Sequence, residues 1–214
     1  MVVLLINSWV NKPYAEGDIF LGVMVPKIRQ LLKNSPVLEM DTLESLLQSK
    51  FHEARFFALI ALRQQYNRGD ELQKQQLFKC YRGCIDRVNN WDLVDVSAPY
   101  ISGHHFYTHA RTELYKLAKS RSLWRRRISI MSTFYFIRQK DFADTLYLAE
   151  QLIDDREDLM HKAVGWMLRE IGNRNKAAEC GFLDKWSAQM PRTMLRYAIE
   201  KFPNQERQHY MSSN

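Results

Sequence analysis

The chain has 214 residues, of which 46% are hydrophobic and 26% charged, so it can build a core and its composition excludes disorder. Eight glycines and six prolines argue against a turn-rich β-sandwich or barrel, and three cysteines without a CxxC pair exclude a disulfide scaffold. The net charge of +7 predicts an anionic partner.

The N-terminal stretch, residues 1–6, is apolar but short. No basic region precedes it, and Asn7 and Ser8 follow at once, so no signal peptide is predicted. Nowhere do about 18 apolar residues follow one another without a charge, so no membrane span is predicted. We therefore expect a soluble, cytoplasmic protein.

Apolar residues recur at helical spacing along almost the whole chain. In the segment 51–62, positions 54, 57, 58, 61 and 62 form one stripe. Comparable stripes occupy residues 72–88, 106–117, 123–137, 142–153, 159–171 and 193–202. No segment alternates with the period of a strand, so the sequence predicts an all-α protein.

The predicted helices also repeat. Taking positions 54, 91, 127 and 163 as equivalent points, the intervals are 37, 36 and 36 residues, and each unit holds two helices. This period predicts an α-solenoid of HEAT-like repeats with a concave basic face. We expect a single domain over residues 1–214, with a loose tail over 202–214.

Most enzyme signatures are missing, including GxGxxG, the Walker loop, GxSxG and HExxH. The spacing of His104, His105 and His109 superficially resembles a metal site, but no cluster of cysteines or carboxylates accompanies it. Cys80 and Cys84, four residues apart on a helix, are interpreted as buried small residues. The sequence predicts neither a metal nor a cofactor.

The segment Asn89-Asn90-Trp91-Asp92-Leu93-Val94-Asp95 is the first candidate site. Asn89 is predicted to cap a helix, and Asp92 to complement the helix dipole in the first turn. Asp95 has no such explanation, and it lies one turn after Trp91, so the carboxylate and the aromatic ring share a face. Two interpretations remain open, a functional carboxylate or an ion pair with a nearby arginine that orders the stack.

A stretch of cations without acids is the second candidate site. Residues 115–137 contain no Asp or Glu but six basic side chains, three of them directly after Trp124. These are Lys116, Lys119, Arg121, Arg125, Arg126 and Arg127. The pattern favours a track for phosphate groups over a merely solvated helix face. Downstream, Trp166 and Arg169 are three residues apart, although Trp166 by itself would be interpreted as a core residue.

Together these segments resemble the DNA alkylation repair enzymes of the AlkD type, a family of HEAT-like-repeat DNA glycosylases. The resemblance extends from about residue 17 to about residue 202. It rests on four blocks in the same order: Ile19-Phe20-Leu21-Gly22-Val23 with Pro26, Trp91-Asp92-Leu93-Val94-Asp95, Leu123-Trp124-Arg125-Arg126-Arg127, and Lys162-Ala163-Val164-Gly165-Trp166-Met167-Leu168-Arg169-Glu170.

The resemblance implies a monofunctional DNA glycosylase of base excision repair, which excises cationic N3- and N7-alkylated purines by hydrolysing the N-glycosidic bond. The family's catalytic carboxylate corresponds to Asp95, and its two lesion-site tryptophans to Trp91 and Trp166. Its arginine beside the lesion corresponds to Arg127. Further DNA contacts are expected from Arg125, Arg126, Arg169, Lys162 and Tyr14.

The chemistry agrees with these residues. An alkylated purine is already a cationic leaving group, so one carboxylate that stabilises the oxocarbenium-like sugar and orients a water is sufficient. The family works without an enclosed base pocket. We expect a monomer that acts on duplex DNA in the nucleoid. The alternatives are a non-catalytic protein that binds distorted or branched DNA, and a helical-repeat adaptor for acidic proteins.

Overall fold

The computed structural model describes residues 18–212, and the regular structure in that range is helical. An isolated parallel bridge pairs Ile19 with Phe51. The all-α prediction is confirmed, whereas the arrangement of the helices in HEAT-like repeats remains a prediction. No helix within residues 18–212 combines the length and the apolarity that crossing a membrane requires.

The chain divides into two compact units, Met1–Ser97 and Ala98–Asn214. Helix α3 is central to the first unit, because it packs against each of the other four helices described within residues 18–97. Residues on several of its sides are therefore buried, and Ala58, Leu59 and Leu62 are completely so. The helices of this unit are α1 (Val25–Asn34), α2 (Met40–Leu47), α3 (His52–Arg68), α4 (Glu71–Gly83) and α5 (Trp91–Ser97), with a 3-10 turn at Ile85–Arg87.

The second unit is built around two long helices. Helix α8 packs against α6, α7, α9 and α10, and helix α10 packs in addition against α11 and α12. The helices of this unit are α6 (Ser102–Thr108), α7 (Thr112–Ala118), α8 (Leu123–Arg138), α9 (Ala143–Gln151), α10 (Asp158–Gly172), α11 (Lys176–Trp186), α12 (Arg192–Ala198) and α13 (Asn204–Ser212), with a 3-10 turn at Ile199–Lys201.

One predicted apolar stripe, residues 106–117, is divided between two helices. Helix α6 ends at Thr108 and α7 begins at Thr112. The guanidinium group of Arg111, in the break, forms ion pairs with Asp141 (3.2 Å) and with Asp144. The spacing of apolar residues cannot predict this break. The acidic partners of Arg111, which lies in the break, are about 30 residues later in the sequence.

Helix α13 covers Asn204–Ser212, within the stretch 202–214 where the sequence predicted a loose tail. Tyr210 is only 7% exposed, and its hydroxyl donates a hydrogen bond to Asp184 (2.7 Å). Nζ of Lys176 also lies 2.7 Å from a carboxylate oxygen of Glu206. This helix is attached by polar contacts and by one aromatic ring. Its sequence has no apolar stripe, which is the pattern from which the other helices were predicted.

Helices α10 and α12 approach each other closely at Gly165. A Cβ atom on Gly165 would overlap the carbonyl oxygen of Met194 and would lie 2.6 Å from the Cβ of Tyr197. Main-chain atoms cannot move aside as the end of a flexible side chain can. The contact therefore requires glycine at this position.

We predict that Gly165→Ala lowers the free energy of unfolding by about 1–3 kcal/mol, the usual cost of overpacking. Gly181→Ala is the matched control, because Gly181 lies within α11 and a Cβ atom there would meet no neighbouring group within 4 Å. This control should gain up to about 1 kcal/mol from the higher helix propensity of alanine. Urea unfolding of both variants measures the difference, and equal midpoints would contradict the close packing.

Candidate functional site

Helix α5 carries the candidate carboxylates, and Asn90 fixes its first turn. The side-chain oxygen of Asn90 accepts a hydrogen bond from the main-chain N–H of Trp91 (2.8 Å), and its carbonyl oxygen accepts one from Val94 (3.1 Å). The predicted cap, Asn89, is therefore one residue too early. Its side-chain oxygen accepts a hydrogen bond from Arg55 instead (3.1 Å).

Asp92 lies in the first turn of α5 and has two hydrogen-bond partners. Its Oδ1 accepts from the main-chain N–H of Leu93 (2.8 Å), and its Oδ2 lies 2.8 Å from Nε2 of His52 on α3. The sequence explained Asp92 by the helix dipole alone. The contact with His52 spans 40 residues of sequence and attaches α5 to α3.

His52 is 5% exposed and lies between two carboxylates. Its Nδ1 lies 3.1 Å from Oδ2 of Asp18, while its Nε2 faces Asp92. Ionised carboxylates only accept hydrogen bonds, so both ring nitrogens donate and the ring is positively charged. Burial opposes this charge, but the hydrogen bonds to Asp18 and Asp92 outweigh it and raise the pKa of His52 to about 9.

Asp18 attaches the segment before α1 to α3 and to the turn before α5. Its buried carboxylate accepts hydrogen bonds from His52, Arg55, Asn89 (3.2 Å) and Asn90 (3.1 Å). Burial opposes the charged form, but the hydrogen bonds from His52 and Asn90 and the charge of Arg55 lower the pKa of Asp18 to about 2. The carboxylate is therefore ionised at neutral pH.

Glu53, the next residue on α3, holds the block that begins at Ile19. Its carboxylate accepts hydrogen bonds from the main-chain N–H groups of Leu21 (2.9 Å), Gly22 (2.8 Å) and Val23 (3.3 Å). Gly22 has a φ of 78°, a conformation that side chains disfavour, so this turn favours glycine. Sequence reasoning gave no role to His52, Glu53 or Asp18.

Trp91 and Asp95 lie one helical turn apart on α5, and both are half-buried. Because Asn90 and Asp92 fix the start of this short helix, the same contacts set the positions of Trp91 and Asp95. The structure thus brings together the aromatic ring and the carboxylate that the sequence predicted to share a face. Their roles at a lesion remain predictions.

Arg126 of the triple arginine is paired within the second unit. Its Nε and Nη2 donate to the two carboxylate oxygens of Asp155 (2.6 and 3.1 Å). Its Nη1 donates to the carbonyl oxygens of Ser120 (3.0 Å) and Arg121 (2.9 Å). The absence of acids between residues 115 and 137 did not indicate an unpaired arginine, because Asp155 lies 29 residues after Arg126 in the sequence. The structure gives Arg126 a bridging role at the start of α8.

The other two arginines of this group are less exposed than expected of phosphate ligands. Arg127 is 4% exposed, and its Nη1 donates to the carbonyl oxygen of Leu159 (2.6 Å). Arg125 is half-buried. The exposed cations of the same stretch are Lys116, Lys119 and Arg121.

Helix α10 carries the three remaining predicted residues. Lys162 forms an ion pair with the carboxylate one turn before it (2.7 Å), and Arg169 forms one with Glu200. Trp166 is half-buried, and its Nε1 donates to Glu170 (3.3 Å). Its ring also lies near that of Phe134, with centroids 6.4 Å apart.

The predicted site residues fall into groups, each on a single helix. Trp91 and Asp95 belong to the first unit, and the predicted residues of α8 and α10 belong to the second. A single site that unites these groups remains a prediction. Tyr14 lies outside the described residues.

Within residues 18–212, no three His, Cys, Asp or Glu side chains are grouped as a metal would require. The rings of His105 and His109 stack with centroids 4.3 Å apart and planes 9° apart. His104 packs edge-on against Tyr135 (5.3 Å). The histidine spacing therefore corresponds to ring packing around α6.

Comparisons with known proteins agree with these observations. The sequence model of a family described as DNA alkylation repair enzyme matches residues 8–202. A solved structure described as a predicted DNA alkylation repair enzyme from Enterococcus faecalis is 16% identical, with a TM-score of 0.72 over 95% of each chain, and this likeness shows the fold alone. The search of curated proteins found no match. Because the family model covers most of the sequence, the chain belongs to the DNA alkylation repair enzyme family.

Proposed function

We propose that this protein is a DNA glycosylase that hydrolyses the N-glycosidic bond of N3- and N7-alkylated purines in duplex DNA. Family membership supports a role in the repair of alkylated DNA. Helix α5 carries the finer proposal, because it places the half-buried Asp95 one turn after Trp91. Asp92, in the turn before, binds His52 and thereby has a structural role.

The proposed reaction begins when the bond between the sugar C1′ and the purine nitrogen breaks. The bonding electrons move to the purine and neutralise its positive charge, so no acid has to protonate the leaving group. The Asp95 carboxylate stabilises the oxocarbenium-like sugar and orients a water, whose oxygen then bonds to C1′ and whose proton is released. Trp91 and Trp166 hold the cationic base and sugar by ring-face contacts.

The proposed partner is duplex DNA, held through its phosphates. The net charge of +7 supports this partner, as do the exposed cations Lys116, Lys119 and Arg121. Arg127 remains the proposed contact beside the lesion, since it matches the family's position. Because it is 4% exposed and donates to the carbonyl oxygen of Leu159, this contact requires its side chain to move outward when DNA binds. Because the leaving group is already cationic, the proposed reaction needs no metal or cofactor.

The first test is a panel of lesions in duplex DNA under single-turnover conditions. We expect release of N7-methylguanine and N3-methyladenine, whose purines are cationic, and no release of neutral hypoxanthine or uracil. Without a general acid, the site can stabilise the sugar cation but cannot activate a neutral leaving group. Release of hypoxanthine at a similar rate would contradict the mechanism. Tight DNA binding without any release would identify a non-catalytic DNA-binding protein.

Asp95→Asn tests the catalytic carboxylate. Its single-turnover excision rate should fall by at least about a hundredfold, the scale for losing one preorganised electrostatic group. DNA binding should persist or tighten, because a negative charge near phosphates is removed. Asp41→Asn is the matched control, since Asp41 is an exposed acid of the same unit and its loss changes the net charge equally. A rate within a few-fold of the wild type would reject Asp95 as the catalytic group.

The salt dependence of DNA binding distinguishes the roles of the arginines of α8. Arg127→Ala should lower the slope of log K against log salt by about one, as expected for one lost phosphate contact. Arg126→Ala should leave the slope unchanged and reduce stability, because Asp155 already pairs with Arg126. The opposite result, with the slope changed only by Arg126→Ala, would move the phosphate contact to Arg126.

A further inference from the structure

A bridge of three side chains, of which His52 and Asp18 are buried and Asp92 is 25% exposed, connects α3, α5 and the segment before α1. This His52 bridge consists of Asp18, His52 and Asp92, with ring-nitrogen to oxygen distances of 3.1 and 2.8 Å. His52 is almost completely buried, and the ring of Phe20 lies against it with centroids 4.8 Å apart. Bulk water therefore has little access to the ring or to its hydrogen bond with Asp18.

The bridge requires the charged form of the ring. A neutral imidazole has one N–H group, so one of the two carboxylates would face a nitrogen lone pair at hydrogen-bond distance. The charged and polar groups around Asp18 are Arg55, Asn89 and Asn90, and they hold its carboxylate in place. If the ring lost its charge, the hydrogen bond to Asp92 would therefore be the one most affected. This is the hydrogen bond that connects the bridge to α5.

The charge of His52 also affects Asp95. Asp92 and Asp95 are three residues apart on one helix, so their carboxylates are neighbours and repel each other. The imidazolium at 2.8 Å compensates the charge of Asp92. This compensation reduces the repulsion between the two carboxylates.

We propose that His52 is a positioning residue of the glycosylase site, whose positive charge fixes the first turn of α5 and orients Trp91. This inference rests on the proposed function. It assigns a task to a side chain that lies 43 positions before Asp95 in the sequence and contacts α5 through Asp92.

The proposal predicts a specific pH dependence. Single-turnover excision by the wild type should be level between pH 7 and 8, fall about twofold at pH 9 and about fourfold at pH 9.5, as the ring loses its proton. Rates are corrected for the enzyme-free reaction of the same DNA. His52→Gln cannot carry the charge, so its slower rate should lack this decline.

Two variants separate positioning from stability. His52→Gln should lower the excision rate by about tenfold to a hundredfold, the effect of a misplaced reacting group, with little change in the Kd for DNA. Leu47→Ala is the control, because Leu47 is buried in the same unit and its truncation leaves only a cavity. At a temperature where both variants are fully folded, Leu47→Ala should stay within about threefold of the wild type. An equal loss in both variants, or a His52→Gln rate within threefold of the wild type, would overturn the proposal.

A readout without DNA separates this inference from the proposed function. In protein labelled with 5-fluorotryptophan, the 19F resonance of Trp91 is identified by its absence in Trp91→Phe. It should shift between pH 7 and 9.5 in the wild type and stay fixed in His52→Gln. A resonance that does not move in the wild type would overturn the positioning role. If the wild type releases no base while Trp91 still responds, the glycosylase proposal fails and the positioning of α5 by His52 stands.

Discussion

A buried imidazolium needs an acidic oxygen beside each ring nitrogen, and in the first unit this requirement fixes where three segments meet. His52 supplies the cation, Asp18 ties down the segment before α1, and Asp92 ties down α5. Buried ion pairs often add little net stability, because removing charges from water costs as much as their attraction returns. Breaking one is nevertheless expensive, since it leaves a charge buried without its partner. The main effect of the network is therefore to disfavour other positions of α5, and less to add net stability.

In the second unit, guanidinium groups perform a similar task between helices. Arg126 joins the start of α8 to Asp155, and Arg111 joins the break before α7 to Asp141 and Asp144. A planar guanidinium can bind a carboxylate through two parallel hydrogen bonds, which fixes direction as well as distance. Some of the arginines that make the sequence look suited to phosphates are thus committed to the fold. The more available positive charge is on exposed side chains such as Lys119.

The sequence was sufficient to predict most of the helices and those residues of the candidate site that lie close together in the sequence. Periodicity found α3, α8 and α10, whose apolar residues face the core, and the spacing of Trp91 and Asp95 placed them one turn apart. Periodicity did not find α13, which is attached mainly by polar contacts around Tyr210. Nor could local patterns find the partners of His52, which lie 34 and 40 residues away. A histidine and a glutamate at the start of a helix look like ordinary solvent-exposed residues until the fold buries them.

The contacts of Asp92 show why this acid of α5 has a structural role. A carboxylate whose charge is compensated at close range does little to stabilise a developing sugar cation. Asp92 has a cation at 2.8 Å and a main-chain N–H at the same distance, so little of its field remains for a ligand. The compensation also reduces the repulsion between Asp92 and Asp95, which are neighbours on one helix. The catalytic role proposed for Asp95 thus depends on the structural role of Asp92, and through it on His52.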